Sequence, residues 1–335
     1  MKHLSIFFLF ILLFLGFAGC DESFNPKEEF QPKIIVTGLL KADSSRQNIV
    51  IQKSYDIPGF DPSQNTTDPF ISGANVVLKV TNRKRNINAT HILRDTSRAR
   101  AVGSKYPGPM PFYTTTMSGF NKITARDTIT LIATLPSGEN IQSTTIVPEP
   151  LNMEINRTVL TTAATKQNID RFLFTWTPID NAQGFMYYPR MRIYYDQLEN
   201  GVVTPKNIEV PIAGFGEGAE RTFSYPLFSK SRYQDYLFAL VDEVMRDISK
   251  NDVNKQNFYV RYAKFDLMVY DVNFAKYYSS INGFLDDLSV RIDEVVYSNI
   301  PGGLGFLGVT KLYEVTMPID LDYTSSFGYR VTPFR

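Results

Sequence analysis

Short runs in which apolar and polar residues alternate recur along most of this chain, and that period commits it to β-structure. A period of two puts one set of side chains on each face of a strand, whereas a helical face repeats every 3.6 residues. Ile34 to Leu40, Asn48 to Ser54 and Ala74 to Thr81 read as strands on this basis. Thr128 to Thr134 and Asn140 to Val147 flank Pro136-Ser137-Gly138-Glu139, so they read as a hairpin. Residues 56–72 and 103–111 are rich in Pro, Gly, Asp and Asn and read as loops, and 82–86 as a turn. Many short strands separated by turns imply a sandwich or barrel.

The expected class is mainly β, in two sandwich-like domains. Pro148-Glu149-Pro150 marks the boundary, because prolines join a neighbouring sheet poorly. The N-terminal β-sandwich domain is expected over 34–148 and a C-terminal β-rich domain over 149–335. In the second part, Arg171 to Thr177 alternates, and Met186 to Tyr195 sets Met191, Ile193 and Tyr195 against Arg190, Arg192 and Tyr194. A strand ending in Trp176, a turn at Pro178-Ile179-Asp180-Asn181-Ala182 and a tyrosine-rich strand resemble an immunoglobulin-like or fibronectin type III sandwich. Two helices interrupt it. From Tyr233, apolar residues recur at Leu237, Leu240, Val241, Val244 and Ile248, one face of a helix. Asn273 to Ile281 is a shorter one. Strands are expected again at Leu288–Ile292 and Val295–Tyr297.

The start of the chain speaks to location. Lys2 and His3 precede an apolar run from Leu4 to Ala18, roughly 15 residues and short of the ~20 that span a bilayer. That is the length of a signal-peptide core. Phe17-Ala18-Gly19-Cys20 resembles a bacterial lipobox, with Phe17 where Leu is usual. Residues 1–19 therefore read as a lipoprotein signal peptide and Cys20 as the lipid-attachment residue. Cys20 is the only cysteine, so it makes no internal disulfide. Several acyl chains such as palmitate, at about 0.8 kcal/mol per buried methylene, hold a folded domain at a membrane. Residues 20–33 are polar and acidic with two prolines and read as a flexible tether. Acidic residues just after such a cysteine resemble surface-export signals of Bacteroidota lipoproteins.

Composition removes several kinds of chemistry. With Cys20 acylated and the leader removed, the chain keeps one histidine, His91, and no free thiol. Cysteine nucleophiles, Cys-rich zinc sites and histidine metal clusters are excluded, and no cofactor is expected. His91, in a strand-like stretch without a GxSxG motif, reads as an ordinary exposed or half-buried residue. Setting Lys2 aside, 34 basic residues face 34 acidic ones, so bulk charge offers no reason to bind nucleic acid. Asn65-Thr66-Thr67, Asn88-Ala89-Thr90 and Asn156-Arg157-Thr158 match the N-glycosylation pattern, which carries no weight behind a bacterial lipobox. Asp127-Thr128-Ile129 resembles an O-glycosylation site of Bacteroidota.

Gly303-Leu304-Gly305-Phe306-Leu307-Gly308 fits G-x-G-x-x-G. A dinucleotide site needs a helix next, and here Val309 to Val315 continues as strand until Pro318. The glycines read instead as positions of positive φ or close backbone approach. Ser298-Asn299-Ile300-Pro301-Gly302-Gly303-Leu304-Gly305-Phe306-Leu307-Gly308 resembles the C-terminal hallmark of a Bacteroidota lipoprotein family, the domain-of-unknown-function family numbered four-two-four-nine. Leu307 departs from the family's usual Phe. Val36-Thr37-Gly38-Leu39-Leu40, Ser72-Gly73-Ala74-Asn75-Val76 and Thr145-Ile146-Val147-Pro148 are further echoes in order.

The resemblance implies a lipid-anchored protein of the outer membrane, on its periplasmic or extracellular face, often associated with a TonB-dependent transporter. It implies no activity and no site residues. The expected function is a non-catalytic binding or accessory module in nutrient uptake, where aromatic surface could stack on sugars or grip peptide. A structural or adhesive surface lipoprotein is the alternative. A carboxylate-dependent hydrolase is a third reading, with Asp286-Asp287 and Asp293-Glu294 as its nominal acids. Neighbouring strand residues point to opposite faces, so these acids make poor pairs.

Overall fold

Alternation in the sequence becomes alternation in burial. In the first strand, β1 (Ile34–Lys41), Val36 and Leu40 are fully buried while Thr37 and Lys41 are exposed. The computed structural model describes residues 30–56, 61, 64–156, 159–161, 171–178, 184–215, 221–224, 231–281 and 296–334. After β1 come β2 (Arg46–Lys53), β3 (Asn75–Asn82), β4 (Ile87–Arg98), β5 (Met110–Thr116), β6 (Thr128–Thr134) and β7 (Asn140–Ile146). The second half holds β8 (Leu151–Ile155), β9 (Arg171–Pro178), β10 (Met186–Glu199), β11 (Val202–Val210), β12 (Ile212–Phe215), β13 (Arg221–Ser224) and β14 (Tyr233–Leu237). Helix α1 (Phe238–Asp247), β15 (Phe258–Tyr270), helix α2 (Val272–Ile281), β16 (Leu304–Pro318) and helix α3 (Leu321–Ser326) complete it. The protein is mainly β with few helices, as expected.

One sheet runs through both halves. Its order is β11-β10-β15-β16-β1-β2-β5-β4-β3-β6-β7. Every pairing in it is antiparallel except that of β1 with β16, which run parallel with Ile35 opposite Leu304 and Lys41 opposite Thr310. The expected hairpin is present: β6 and β7 pair from Thr128–Ile146 to Thr134–Asn140, closed by the Leu135 N–H to Glu139 carbonyl bond of 2.8 Å. A second tight hairpin joins β10 to β11 through Asn200 and Gly201, both at positive φ, the residue pair that a type I′ turn favours.

Two cores lie on either side of residue 148, with one exchange. Ile34 to Val147 supply most of the first, which includes Val36, Ile49, Leu78, Ile129 and Leu131. The C-terminal segment adds Ile300, Leu307 and Val309 to it. The first-half sheet curls until β7 returns to β16, so that Ile141 and Val147 share this core with Leu307 and Val309. The second core is two-layered. Strands β10, β15 and β16 supply Met191, Ile193, Phe265, Leu267 and Met317. The small sheet β14-β9-β8 and α1 cover them with Phe172, Phe174, Trp176, Tyr236 and Phe238. Phe174 stacks on Phe265 with centroids 4.0 Å apart. Aromatic pairs of this kind add about 0.5–1.5 kcal/mol beyond their burial.

Three expectations are corrected. Helical spacing suggested a helix from Tyr233, but Tyr233–Leu237 is a strand paired with β9, and the helix starts at Phe238. Tyr236, opposite Phe172 in the register and fully buried, ties this stretch to the sheet. Residues 103–111 were expected to be a loop throughout, but β5 already begins at Met110, opposite Arg98. Val296 and Tyr297 are irregular rather than strand; the Tyr297 N–H donates to Ser280 Oγ (2.9 Å) instead of to a neighbouring strand. Leu288–Ile292 and Val295 lie outside the described residues. Asn273–Ile281 does form a helix, beginning one residue earlier.

Candidate functional site

The family-hallmark segment closes the seam between β7 and β16. The Asn299 side chain reads the main chain of Leu307 as a strand neighbour would: its Nδ2 donates to the Leu307 carbonyl (2.8 Å) and its Oδ1 accepts the Leu307 N–H (2.9 Å). The Asn299 carbonyl accepts from Ser143 Oγ on β7 (2.8 Å). Asn273 Nδ2 donates to the Thr144 carbonyl, also on β7. The glycines of the G-x-G-x-x-G match serve close approach. Gly305 has φ +88°, and a Cβ on it would sit 2.1 Å from the Val36 carbonyl oxygen. A Cβ on Gly308 would meet Asp271 Oδ1 at 2.8 Å. The segment continues directly as β16, so the helix that a dinucleotide fingerprint requires does not follow.

Asp271 sits at the centre of this seam, 2% exposed. Its Oδ1 accepts the N–H groups of Phe274 and Val309, both at 3.1 Å, and its Oδ2 accepts from Thr145 Oγ1. It caps the N-terminus of α2, where a carboxylate satisfies an otherwise orphaned N–H. Burial pushes its carboxyl above the ordinary carboxylate value, while these donors pull the other way. This arrangement binds four elements together and leaves the carboxylate no open face for a ligand.

A cleft of about 250 Å³ lies where residues 69–71 fold back along β2, lined by Tyr55, Asn65, Asp68, Phe70 and their neighbours. Residues 69–71 are held to the strand by the Lys53 N–H to Pro69 carbonyl bond (2.9 Å) and the Ile71 N–H to Ile51 carbonyl bond (3.0 Å). A second loop meets it. Lys105 Nζ (3.0 Å) and the Tyr106 hydroxyl (3.4 Å) both donate to Tyr55 Oη, and Arg100 pairs with Asp68. Those donors, Tyr106 first, hold the Tyr55 phenol below its ordinary value, whereas burial raises Tyr106. Lys105 Nζ lies 5.4 Å from the Tyr55 ring centroid and 5.1 Å from that of Tyr106. The result is a shallow, open cleft lined by the Tyr55 and Phe70 rings and the polar side chains of Asn65 and Asp68, with Lys105 and Tyr106 bonded to its Tyr55 edge.

Lys33, the last residue before β1, is fastened to the wall of this cleft. Its N–H donates to Ser54 Oγ (2.7 Å), its carbonyl accepts the Ser54 N–H (2.8 Å), and Ser54 lines the cavity. The N-terminal segment therefore enters the fold beside the cleft.

The other sequence candidates are dispersed. Cys20, Asp286, Asp287, Asp293 and Glu294 lie outside the described residues, as do Arg157 and Thr158. His91 is half-buried on β4, where burial lowers its imidazole. Its Nε2 is buried without a hydrogen-bond partner. Asp127 is fully buried in a structural network, accepting from Asn82 Nδ2 (2.7 Å), the Thr124 N–H (2.7 Å) and Arg85 (3.0 Å). Among the described residues, no group of three or more His, Cys, Asp or Glu is arranged to hold a metal ion, and no helix is long and apolar enough to cross a membrane. Tyr55, Lys105 and Tyr106 escape sequence reading because they come together from two loops about 50 positions apart, with no spacing rule to link them.

The fold and its seam define a β-rich protein organised around one long sheet. The chain belongs to the DUF4249 family, a domain of unknown function, whose model matches residues 21–314. No curated protein matches the chain.

Proposed function

We propose that the protein is an outer-membrane lipoprotein, held to a leaflet by acyl chains on Cys20, that serves as a non-catalytic binding or accessory module for a TonB-dependent transporter. The observation that carries this reading is the position of the cleft beside the entry of the N-terminal segment, through the paired hydrogen bonds of Lys33 and Ser54. Cys20 and Ile34 are fourteen residues apart, a span of at most about 45–50 Å. A molecule held against Tyr55 and Phe70 is then within reach of a channel in the same membrane, which is what an accessory to an importer requires. The neutral charge balance suits an uncharged ligand such as a sugar or a short peptide.

The test is affinity purification of the tagged chain from gently solubilised native membranes, with growth measured on single nutrients. Co-purification of a TonB-dependent transporter, and a nutrient-specific growth loss in Tyr55→Ala, are the expected results. Lost surface attachment with unchanged growth would favour the structural or adhesive reading, and turnover of a glycoside, ester or peptide substrate would favour the hydrolase. Recovery of Cys20 without acyl chains would remove the anchor from the proposal.

A further inference from the structure

We infer that the face made by the C-terminal half of α2 and the start of β16 rests on a lipid leaflet. The choice of a leaflet as the occupant rests on acylation of Cys20; the surface itself is read from the fold.

The direction of α2 places it. The helix is capped by Asp271, level with Gly308 and Val309, and runs back along β16 toward that strand's beginning. Phe274 packs edge-on to Phe306 at 5.6 Å, and Tyr277, one turn on, lies 4.5 Å from the same ring. Because β16 and β1 are parallel and both begin here, the end of α2 lies at the end of the sheet where the N-terminal segment enters. Thirteen residues lie between Cys20 and Ile34, so a membrane anchor would be attached at this end of the sheet.

The side chains at this end suit that position. Ile281 is 43% exposed, Val296 44% and Leu304 36%. Tyr277, Tyr278 and Tyr297 stand half-buried among them, and exposed Lys276 reaches over the Tyr297 ring at 5.6 Å. Single exposed aliphatics are common on any surface. Their gathering with tyrosines and a lysine is the arrangement that sits at the boundary between headgroups and acyl chains. There, aliphatics enter the apolar layer, phenol hydroxyls stay wet, and lysine stems lie along the boundary with their charge outward.

The experiment uses the chain from residue 20 with Cys20→Ser, so that no acyl chain contributes. Among the described residues both cores are built from Ile34 onward, and residues 1–19 are the ones the lipoprotein reading removes as a leader. With the native cysteine gone, a polarity-sensitive fluorophore is placed at Ile281→Cys or at Val253→Cys. Val253 is fully exposed just before β15, toward the opposite end of the sheet. Vesicles of phosphatidylethanolamine and phosphatidylglycerol should shift the label at 281 to the blue and leave the label at 253 unchanged. Raising salt from about 0.1 to 0.5 M should leave most of the shift, since the contact is mainly apolar. The pair Ile281→Glu and Leu304→Glu should weaken vesicle binding about tenfold or more with unchanged circular dichroism. Absence of a shift at 281, equal shifts at both positions, or a shift seen only when a membrane protein is present would each overturn the inference. The acyl state of native Cys20, read by mass spectrometry, is a separate result: an unacylated Cys20 with a positive vesicle shift would sink the anchor and leave this surface standing.

Discussion

Asn299 holds the main chain of Leu307 by both its N–H and its carbonyl, through one side-chain amide, at 2.9 and 2.8 Å. A side chain thus stands in for a strand where β16 has no backbone neighbour on its way to β7. Asn299→Ala should destabilise the protein by about 2 kcal/mol, the loss of two hydrogen bonds at a half-buried site. Asn299→Asp should cost at least as much, because an oxygen would face the Leu307 carbonyl. Urea denaturation of the two variants checks the order.

Gly305 and Gly302 make a matched comparison. Both have positive φ, +88° and +74°, but a Cβ at 302 meets nothing within 4 Å, whereas at 305 it collides with the Val36 carbonyl. Gly302→Ala should cost about 1 kcal/mol for backbone strain alone. Gly305→Ala should cost more than about 3 kcal/mol, since the parallel β1–β16 pairing must open to admit it. Thermal unfolding separates the two, and equal losses would refute the close approach.

Asp271 gives the protein a signed pH dependence. Its folded-state value is raised by burial, so the folded state binds its proton more tightly than the unfolded chain does. Its contribution is fully present below the unfolded value near 3.8 and is lost as pH rises through the folded value. Asp271→Asn keeps an acceptor for Val309 and Phe274 without the charge. The stability of Asp271→Asn relative to the native protein should therefore rise as pH climbs from the unfolded value near 3.8 through the higher folded value. Asp271→Ala should cost about 3 kcal/mol or more at any pH, by orphaning the Thr145, Val309 and Phe274 donors. Denaturant midpoints measured across that range test both.

Asp127 should prove structural. Removing its carboxylate in Asp127→Ala leaves Arg85 and Asn82 without their buried partner, at a cost of about 3 kcal/mol. Thr128→Val beside it, on half-buried β6, should cost less than about 1 kcal/mol. Similar losses for the two would show that the buried network carries little of the stability at this turn.

Local features were legible in advance. The strands β1, β2, β3, β6, β7 and β9 follow their alternation to within two residues, and the 136–139 turn falls where Pro, Ser and Gly put it. Helical spacing misread Tyr233 because a strand running straight into a helix shares its buried residues with both periods. The cleft was not legible, since Tyr55 and Asp68 on one side and Lys105 and Arg100 on the other come from two distant stretches of chain and nothing in their order brings them together.

What the sequence alone determined is the list of elements: each strand and turn is set by forces that act over a few residues, through side-chain alternation and the backbone limits of Gly and Pro. Only the tertiary structure decided that β1 lies beside β16, some 270 positions away, and so that one sheet joins the two cores. A parallel pairing has no connecting turn to announce it. Its cause is the shared burial of Val36, Leu307 and Val309, with glycines that let two backbones approach where no side chain could fit between them.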